Sequence, residues 1–232
     1  MKMIHYKSAL LVLCLFAASN DLGYAQGDGN RTITLPDPDT SGGMSLTESI
    51  FARECIRSFN ETTLTRDQIA QLLWAGNGSK VDAVTGPTRT APSAGGLYPV
   101  ELYVVAGRGM DLAPGIYHYR SDGHSLVQVR EGDRRTELSR AALGQRAITD
   151  APVSIVIAAV YERTTGKYGE RGRERYVKME AGHAAQNIFL QVTALELGTV
   201  TIGAFDDTRV KQLIGLERAE PLYIMPVGVP GR

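Results

Sequence analysis

The segment from Arg89 to Val105 constrains this chain more than any other. Its first half, Arg89-Thr90-Ala91-Pro92-Ser93-Ala94-Gly95-Gly96, packs a proline, small residues and two glycines into one turn. Its second half alternates from Val100 onward as a half-buried strand does. Gly95 and Gly96 carry no Cβ, so backbone there can lie close against a flat ligand. Read alone, the segment is either an ordinary loop before a strand or one wall of a binding site. The residues around it decide between the two.

The chain has 232 residues, one domain's length, and its 43% apolar content suits a protein with a real core. Formal net charge is zero and no long basic run occurs, which argues against a nucleic-acid partner. Residues 1–25 read separately. Lys2 and Lys7 precede an apolar run from Ala9 to Ala18, and Gly23-Tyr24-Ala25 closes the polar stretch after it. That order reads as a secretory signal peptide, with cleavage near Ala25 and a periplasmic destination, the alternative being a buried N-terminal helix. The apolar run is far short of the ~20 residues of a membrane span. Leu13 stands before Cys14, where an acylated cysteine has a small residue. Cleavage would leave Cys55 as the only cysteine, hence no internal disulfide in an oxidising compartment.

Residues 26–44, rich in Gly, Asp, Thr and Pro, read as an extended leader with no core-forming pattern. The domain proper spans 45–232. Ser45 and Glu48 form a capping box at a helix start, with Leu46, Ile50 and Ile56 as a modest stripe. Thr65 and Gln68 form a second, with Leu64 able to staple onto Ile69 and Gly76 and Gly78 ending the helix. Strands are expected over Val100–Ala106, over Gly115–Tyr119 and Ser125–Arg130 around an Asp122-Gly123 hairpin, and over Pro152–Val160, which is apolar enough to be central. The longest helix is expected over Glu174–Leu197. It is apolar nearly all round, so it lies in a core or an interface. Strands over Thr199–Ala204 and Leu222–Val227 enclose a short helix near Thr208–Leu213. With no regular βαβ repeat and no dinucleotide fingerprint, the class is α+β.

Five groups of residues could carry chemistry. Arg53 and Arg57 are four apart and would share a helical face, where two guanidiniums suit a phosphate or form a solvated basic face with Glu54 and Glu61. Pro92, Ser93, Ala94 and Gly95 offer backbone groups and a hydroxyl to a flat ring. Arg89 could sit near a phosphate or pair with a surface acid. Ile202, Gly203 and Ala204 end a strand where a small residue permits close approach, and Asp206 and Asp207 suit a helix cap. Lys167 and Tyr168 lie in a polar, glycine-bearing loop that could cover a site. An acid–base lysine there needs a lowered pKa, for which Arg163 and Arg171 are candidate neighbours. His183 shares a polar stripe with Glu180, Asn187 and Gln191, to be satisfied internally, and has no partner at metal spacing.

Taken together, Arg53-Glu54-Cys55-Ile56-Arg57-Ser58-Phe59, Pro92-Ser93-Ala94-Gly95 and Thr201-Ile202-Gly203-Ala204-Phe205-Asp206-Asp207 resemble the flavin-dependent nitroreductase family, in particular its SagB-type dehydrogenase branch, from roughly Leu46 to Gly228. The resemblance implies a nitroreductase-like sandwich, a central mixed sheet flanked by helices, in an intertwined homodimer that binds FMN between its subunits. It implies that Arg53, Cys55 and Arg57 stand where the family's Arg-Arg-Ser-x-Arg-x-Phe segment binds phosphate and ribityl chain. Glu54 and Cys55 depart from that pattern and leave the two arginines as anchors. It implies that Pro92, Ser93, Ala94 and Gly95 contact the isoalloxazine ring from the partner subunit. Ile202, Gly203 and Ala204 would then lie at its N5 edge, where some members hold a glutamate and this chain has Gly203. Lys167-Tyr168 resembles the acid–base pair of the azoline oxidases in that branch. Three functions follow: a reductase of small acceptors, an oxidase of a peptide-derived or other small-molecule substrate, and a flavin carrier without turnover.

Overall fold

The computed structural model describes residues 31–84, 86–107 and 111–231. The signal-peptide reading lies outside the described residues. In chain order the elements are β1 (Thr32–Thr34), α1 (Leu46–Ala52), α2 (Arg66–Asn77), β2 (Ser79–Asp82), β3 (Gly86–Arg89), β4 (Val100–Ala106), β5 (Gly115–Arg120), β6 (Ser125–Glu131), α3 (Arg135–Ala141), α4 (Arg146–Asp150), β7 (Val153–Ala159), α5 (Glu162–Arg171), α6 (Val177–Ala194), β8 (Gly198–Thr199), α7 (Asp207–Ile214) and β9 (Glu220–Gly228).

Seven strands form one sheet in the order β1-β6-β5-β4-β7-β9-β8, and β2 and β3 pair apart from it. Strand β7 is buried along its whole length between β4 and β9, as its run, apolar but for Ser154, requires. The sheet was expected to be mixed. Every ladder between the described strands is antiparallel, and parallel pairing is confined to an isolated bridge between Cys55 and Thr199. Strands β5 and β6 are joined by the tight turn over Ser121–Gly123, which joins antiparallel neighbours only.

Alternation along the strands builds two cores. Leu102, Val104, Ala106, Ile155, Ile157, Met225 and Val227 pack with residues of α2 and α6, such as Leu72, Leu73, Ala184 and Ile188. Tyr103, Val105, Val156, Ala158 and Ile224 pack with Leu138, Ile148, Val210 and Ile214 of α3, α4 and α7. The result is an α+β sandwich with helices on both faces. Helices α3 and α4 had no counterpart in the sequence reading. Both are short and carry no capping side chain.

The two capping boxes form as read: Ser45 and Thr65 each accept from the third residue on, and Glu48 and Gln68 bond back. The leader is less detached than its composition suggested. Thr32–Thr34 pairs with β6 at the sheet edge, and Leu35 is buried in the core. The strand expected over Thr199–Ala204 shrinks to β8 and a lone bridge between Ile202 and Ile224. Among the described residues, no helix is long and apolar enough to cross a membrane.

Candidate active site

The turn before β4 is the most constrained backbone of the site. Gly95 and Gly96 have φ of 66° and 65°, and Tyr98 follows at 44°. A left-handed tyrosine costs of order 1–3 kcal/mol and persists only where its surroundings fix it. Tyr98 is fixed from three sides: its N–H donates to Ser93 Oγ (2.9 Å), its hydroxyl bonds Thr88 Oγ1 (2.9 Å), and its carbonyl accepts from Arg163 Nη1 (3.0 Å).

The polar stripe of α6 reads this segment directly. The buried carboxyl of Glu180 bonds the Ser93 hydroxyl and the backbone N–H groups of Ala94 and Val100, and burial raises its pKa. His183 Nδ1 lies 3.3 Å from the Pro92 carbonyl. Asn187 Nδ2 donates to the carbonyls of Ala75 (3.1 Å) and Thr90 (3.4 Å), and Gln71 donates to Gln191 (3.4 Å). The stripe is satisfied internally, as expected. Glu180 is nevertheless the residue whose importance the sequence hid. The signal available was a lone carboxylate on a helix apolar nearly all round.

Lys167 and Tyr168 do not lie in a loop. They belong to α5, whose helical geometry breaks at Gly169 (φ 54°, ψ −144°) before a π-turn over Gly172–Tyr176 leads into α6. Buried Thr164 and Tyr161 tie its first turn to the body, which overrides the polar, glycine-bearing composition. A Cβ on Gly95 would stand 2.7 Å from the Tyr168 hydroxyl and 3.0 Å from Lys167 Nζ, so the pair lies on the turn itself. Tyr168 meets Tyr176 edge-on at 5.0 Å, and Arg171 Nε donates to the Tyr176 hydroxyl (2.8 Å). Arg163, one cation proposed to act on Lys167, is instead paired with Glu101. Arg89 forms an ion pair with Asp122 (3.0 Å), the surface-acid alternative.

The helical face expected for Arg53 and Arg57 is not there. Helix α1 ends at Ala52, and Arg53 is extended (φ −61°, ψ 122°). The segment instead lies along β8: Cys55 bridges Thr199, and Ile56 N–H donates to the Thr199 carbonyl (2.9 Å). Gly198 permits this approach, since a Cβ there would fall 2.7 Å from that of Ile56. Extended backbone has a period of two, so positions 53, 55 and 57 share one side by a different geometry. Arg53 Nη1 lies 3.9 Å from Cys55 Sγ, and its guanidinium covers the Phe189 ring at 5.1 Å. Arg57 is exposed.

Phe189 and Glu180 lie far apart on α6, roughly 13 Å at 1.5 Å per residue. Within one chain, Arg53 and Cys55 thus sit near one end of this helix and the Gly95 turn near the other. Gly203 and Ala204 are exposed, the nearest atom to a Cβ on Gly203 being Tyr223 Cε1 at 3.9 Å. Gln145 Nε2 donates to the Ala204 carbonyl (3.1 Å). Asp206 caps α7 by accepting from Arg209 N–H (3.0 Å), and Asp207 opens that helix.

An antiparallel sheet covered by helices on both faces carries two small-residue platforms and a basic segment. The family model of the nitroreductase family matches residues 50–229, and the chain belongs to that family. Flavin-dependent oxidoreductase activity is general to it. A Methanocaldococcus jannaschii protein named as a nitroreductase is 39% identical over 198 residues, covering 84% of this chain and 95% of that one. A crystal structure from Ralstonia eutropha JMP134, also titled a nitroreductase, superposes with a TM-score of 0.75 at 30% identity, over 89% of this chain and 92% of that one. The Escherichia coli microcin synthetase McbBCD complex, with truncated pro-MccB17 bound, shares the fold at a TM-score of 0.68 and 21% identity, over 94% of this chain and 85% of that chain.

Proposed function

We propose that the protein is an FMN-dependent oxidoreductase that passes hydride between the flavin and a small-molecule substrate. The observation that carries this reading is the contact of Lys167 and Tyr168 with Gly95, which joins a candidate proton-handling pair to the turn suited to a flavin ring. The donor set fits FMN: guanidiniums of Arg53 and Arg57 for the phosphate, and Ser93, Ala94, Gly95, Ile202, Gly203 and Ala204 for the ring. Gly203 keeps side-chain bulk out of the space a ring needs, its Cβ position meeting nothing closer than Tyr223 at 3.9 Å.

Bound flavin would supply the hydride chemistry. The chain's own residues bind, orient and handle protons. Arg53 and Arg57 hold the phosphate as charged donors. The Ser93–Tyr98 turn, fixed by Glu180 and Arg163, presents N–H and C=O groups at unchanging positions, so no reorganisation is required at reaction. Lys167 Nζ and the Tyr168 hydroxyl stand within reach of a substrate resting over Gly95 and can exchange a proton with it.

The separation of Arg53 from the Gly95 turn along α6 supports a site made by two copies, in which the turn of one meets the basic segment of the other. Exposed Leu46, Ile50, Phe51 and Met179 give such a dimer apolar surface to bury. Export to the periplasm remains part of the proposal, resting on residues 1–25.

A second reading makes the protein an oxidase of a peptide-derived substrate, with Lys167 and Tyr168 as acid and base. Their contact with Gly95 favours it, as does a fold shared with a complex that holds a peptide precursor. Single-turnover flavin reduction and reoxidation, with a panel of nicotinamide donors, quinones, nitroaromatics and azoline peptides, separates the readings. A fall of about 10²–10⁴-fold for Lys167→Ala at constant FMN content supports the oxidase. Rates within a factor of about three across wild type, Lys167→Ala and Tyr168→Phe support plain reduction. No turnover with any of them would leave a flavin carrier.

A further inference from the structure

Outside the Gly95 turn lies a second charged cluster, on the opposite side of β4. Glu101 is its centre. One carboxylate oxygen pairs with Arg163, and the other lies 3.0 Å from His118 Nε2 and accepts from the Tyr103 hydroxyl at 3.3 Å. Tyr103 and His118 stack at 4.5 Å, nearly parallel. The cluster lines a cavity of about 440 Å³ that Val129, Val160 and the loop from Gly215 to Ala219 complete.

Arg163 connects this cluster to the site. It belongs to α5, the helix that carries Lys167 and Tyr168. One guanidinium nitrogen bonds Glu101 and another donates to the Tyr98 carbonyl at 3.0 Å. Besides that pair, α5 is held by its buried first turn and by the contact of Tyr168 with Tyr176. Its exposed residues include Glu162, Lys167, Glu170 and Arg171, and its geometry is broken at Gly169. Buried Thr164 anchors its first turn, and the turn bearing Lys167 leans on Gly95 and, through Tyr168, on the ring of Tyr176.

We propose that the Arg163–Glu101 pair is a latch that holds α5 on the Ser93–Tyr98 turn, so that Arg163 is a positioning residue for Lys167 and Tyr168. One side chain fixes both partners, the strained Tyr98 carbonyl and the helix above it, which sets their separation. His118 and Tyr103 hold Glu101 in the one orientation that serves Arg163. The structural part stands on its own; the functional part rests on Lys167 and Tyr168 acting in turnover.

Hydrogen exchange of the purified full chain tests the structural part without reference to activity. Arg163→Met should raise exchange of amides in 162–171 roughly tenfold or more, as expected for loss of a charged hydrogen bond, while α2 and β7 keep their protection. Arg163→Lys, which cannot span Glu101 and the Tyr98 carbonyl together, should fall between. Glu101→Gln provides a second route to the same loosening. Unchanged exchange in both Arg163→Met and Glu101→Gln overturns the latch, whatever the protein catalyses. In single-turnover assays, Arg163→Met and Lys167→Ala should be non-additive, the double variant losing clearly less than the two single losses combined. Additive losses overturn the positioning role. Loosened exchange with Lys167→Ala as fast as wild type would keep the latch and reject the acid–base reading instead.

Discussion

The hydroxyl of Tyr168 stands 2.7 Å from where a Cβ would sit on Gly95, so a side chain there would force one of the two to shift. Two segments more than seventy positions apart in sequence thus form one surface. Gly95 is required twice, for its φ of 66° and for that contact.

Gly95→Ala should therefore destabilise the fold by about 1 kcal/mol or more and push Tyr168 and Lys167 off the turn. Thermal unfolding and flavin retention measure the two effects. An unchanged midpoint with full flavin content would show that the turn has room to spare.

Arg53→Ala with Arg57→Ala should weaken FMN binding by about two orders of magnitude or more, each charged hydrogen bond being worth ~1.5–3 kcal/mol. Fluorescence titration of the apo-protein measures this. A folded double variant that retains FMN through dialysis would move the phosphate site elsewhere.

These arginines also mark what the sequence could and could not convey. A spacing of four suggests a helical face, and the capping box at Ser45 made a helix there plausible. The helix stops at Ala52 because pairing with Thr199 and the close fit of Ile56 on Gly198 win over local propensity, and those partners are distant in sequence. Elements whose signals are local, such as α2 with its box at Thr65 and the apolar run of β7, were legible within a residue or two. Helix α5 was not, because Gly166 and Gly169 read as loop while its anchors at Tyr161 and Thr164 act only once the body exists. Glu180 read only as part of a polar stripe and Glu101 not at all, because their partners, Ser93, Ala94 and Arg163, lie far from them in sequence or on another element.

Glu101 should make the acid limb of stability steeper. Burial works against its ionisation, yet the hydrogen bond and charge of His118 and Arg163 outweigh that and hold it at about 2, below the ordinary 4.5. A depressed carboxylate contributes stability above its unfolded value and loses it as pH falls through the folded one. The advantage of wild type over Glu101→Gln should be largest above pH 4.5 and shrink toward about 2. Denaturant midpoints across that window check it, and a constant difference would contradict it.

Glu180 should act in the opposite direction. Burial, against the hydrogen bonds from Ser93, Val100 and Ala94, raises its pKa above the ordinary 4.5. The unfolded chain therefore ionises first, and wild type loses stability relative to Glu180→Gln as pH rises above 4.5. The same midpoints in the two proteins, from pH 4.5 toward neutrality, should converge or cross in favour of the variant. A pH-independent gap would mean the carboxyl titrates normally.

In the proposed mode, this chain holds FMN between a basic segment and a glycine turn. The most direct measurement is the absorption spectrum of the purified protein, followed by identification of what denaturation releases. An oxidised-flavin band and FMN released in stoichiometric amount are expected, with the band lost in the Arg53→Ala/Arg57→Ala variant. A colourless protein that takes up no FMN when it is added would contradict it.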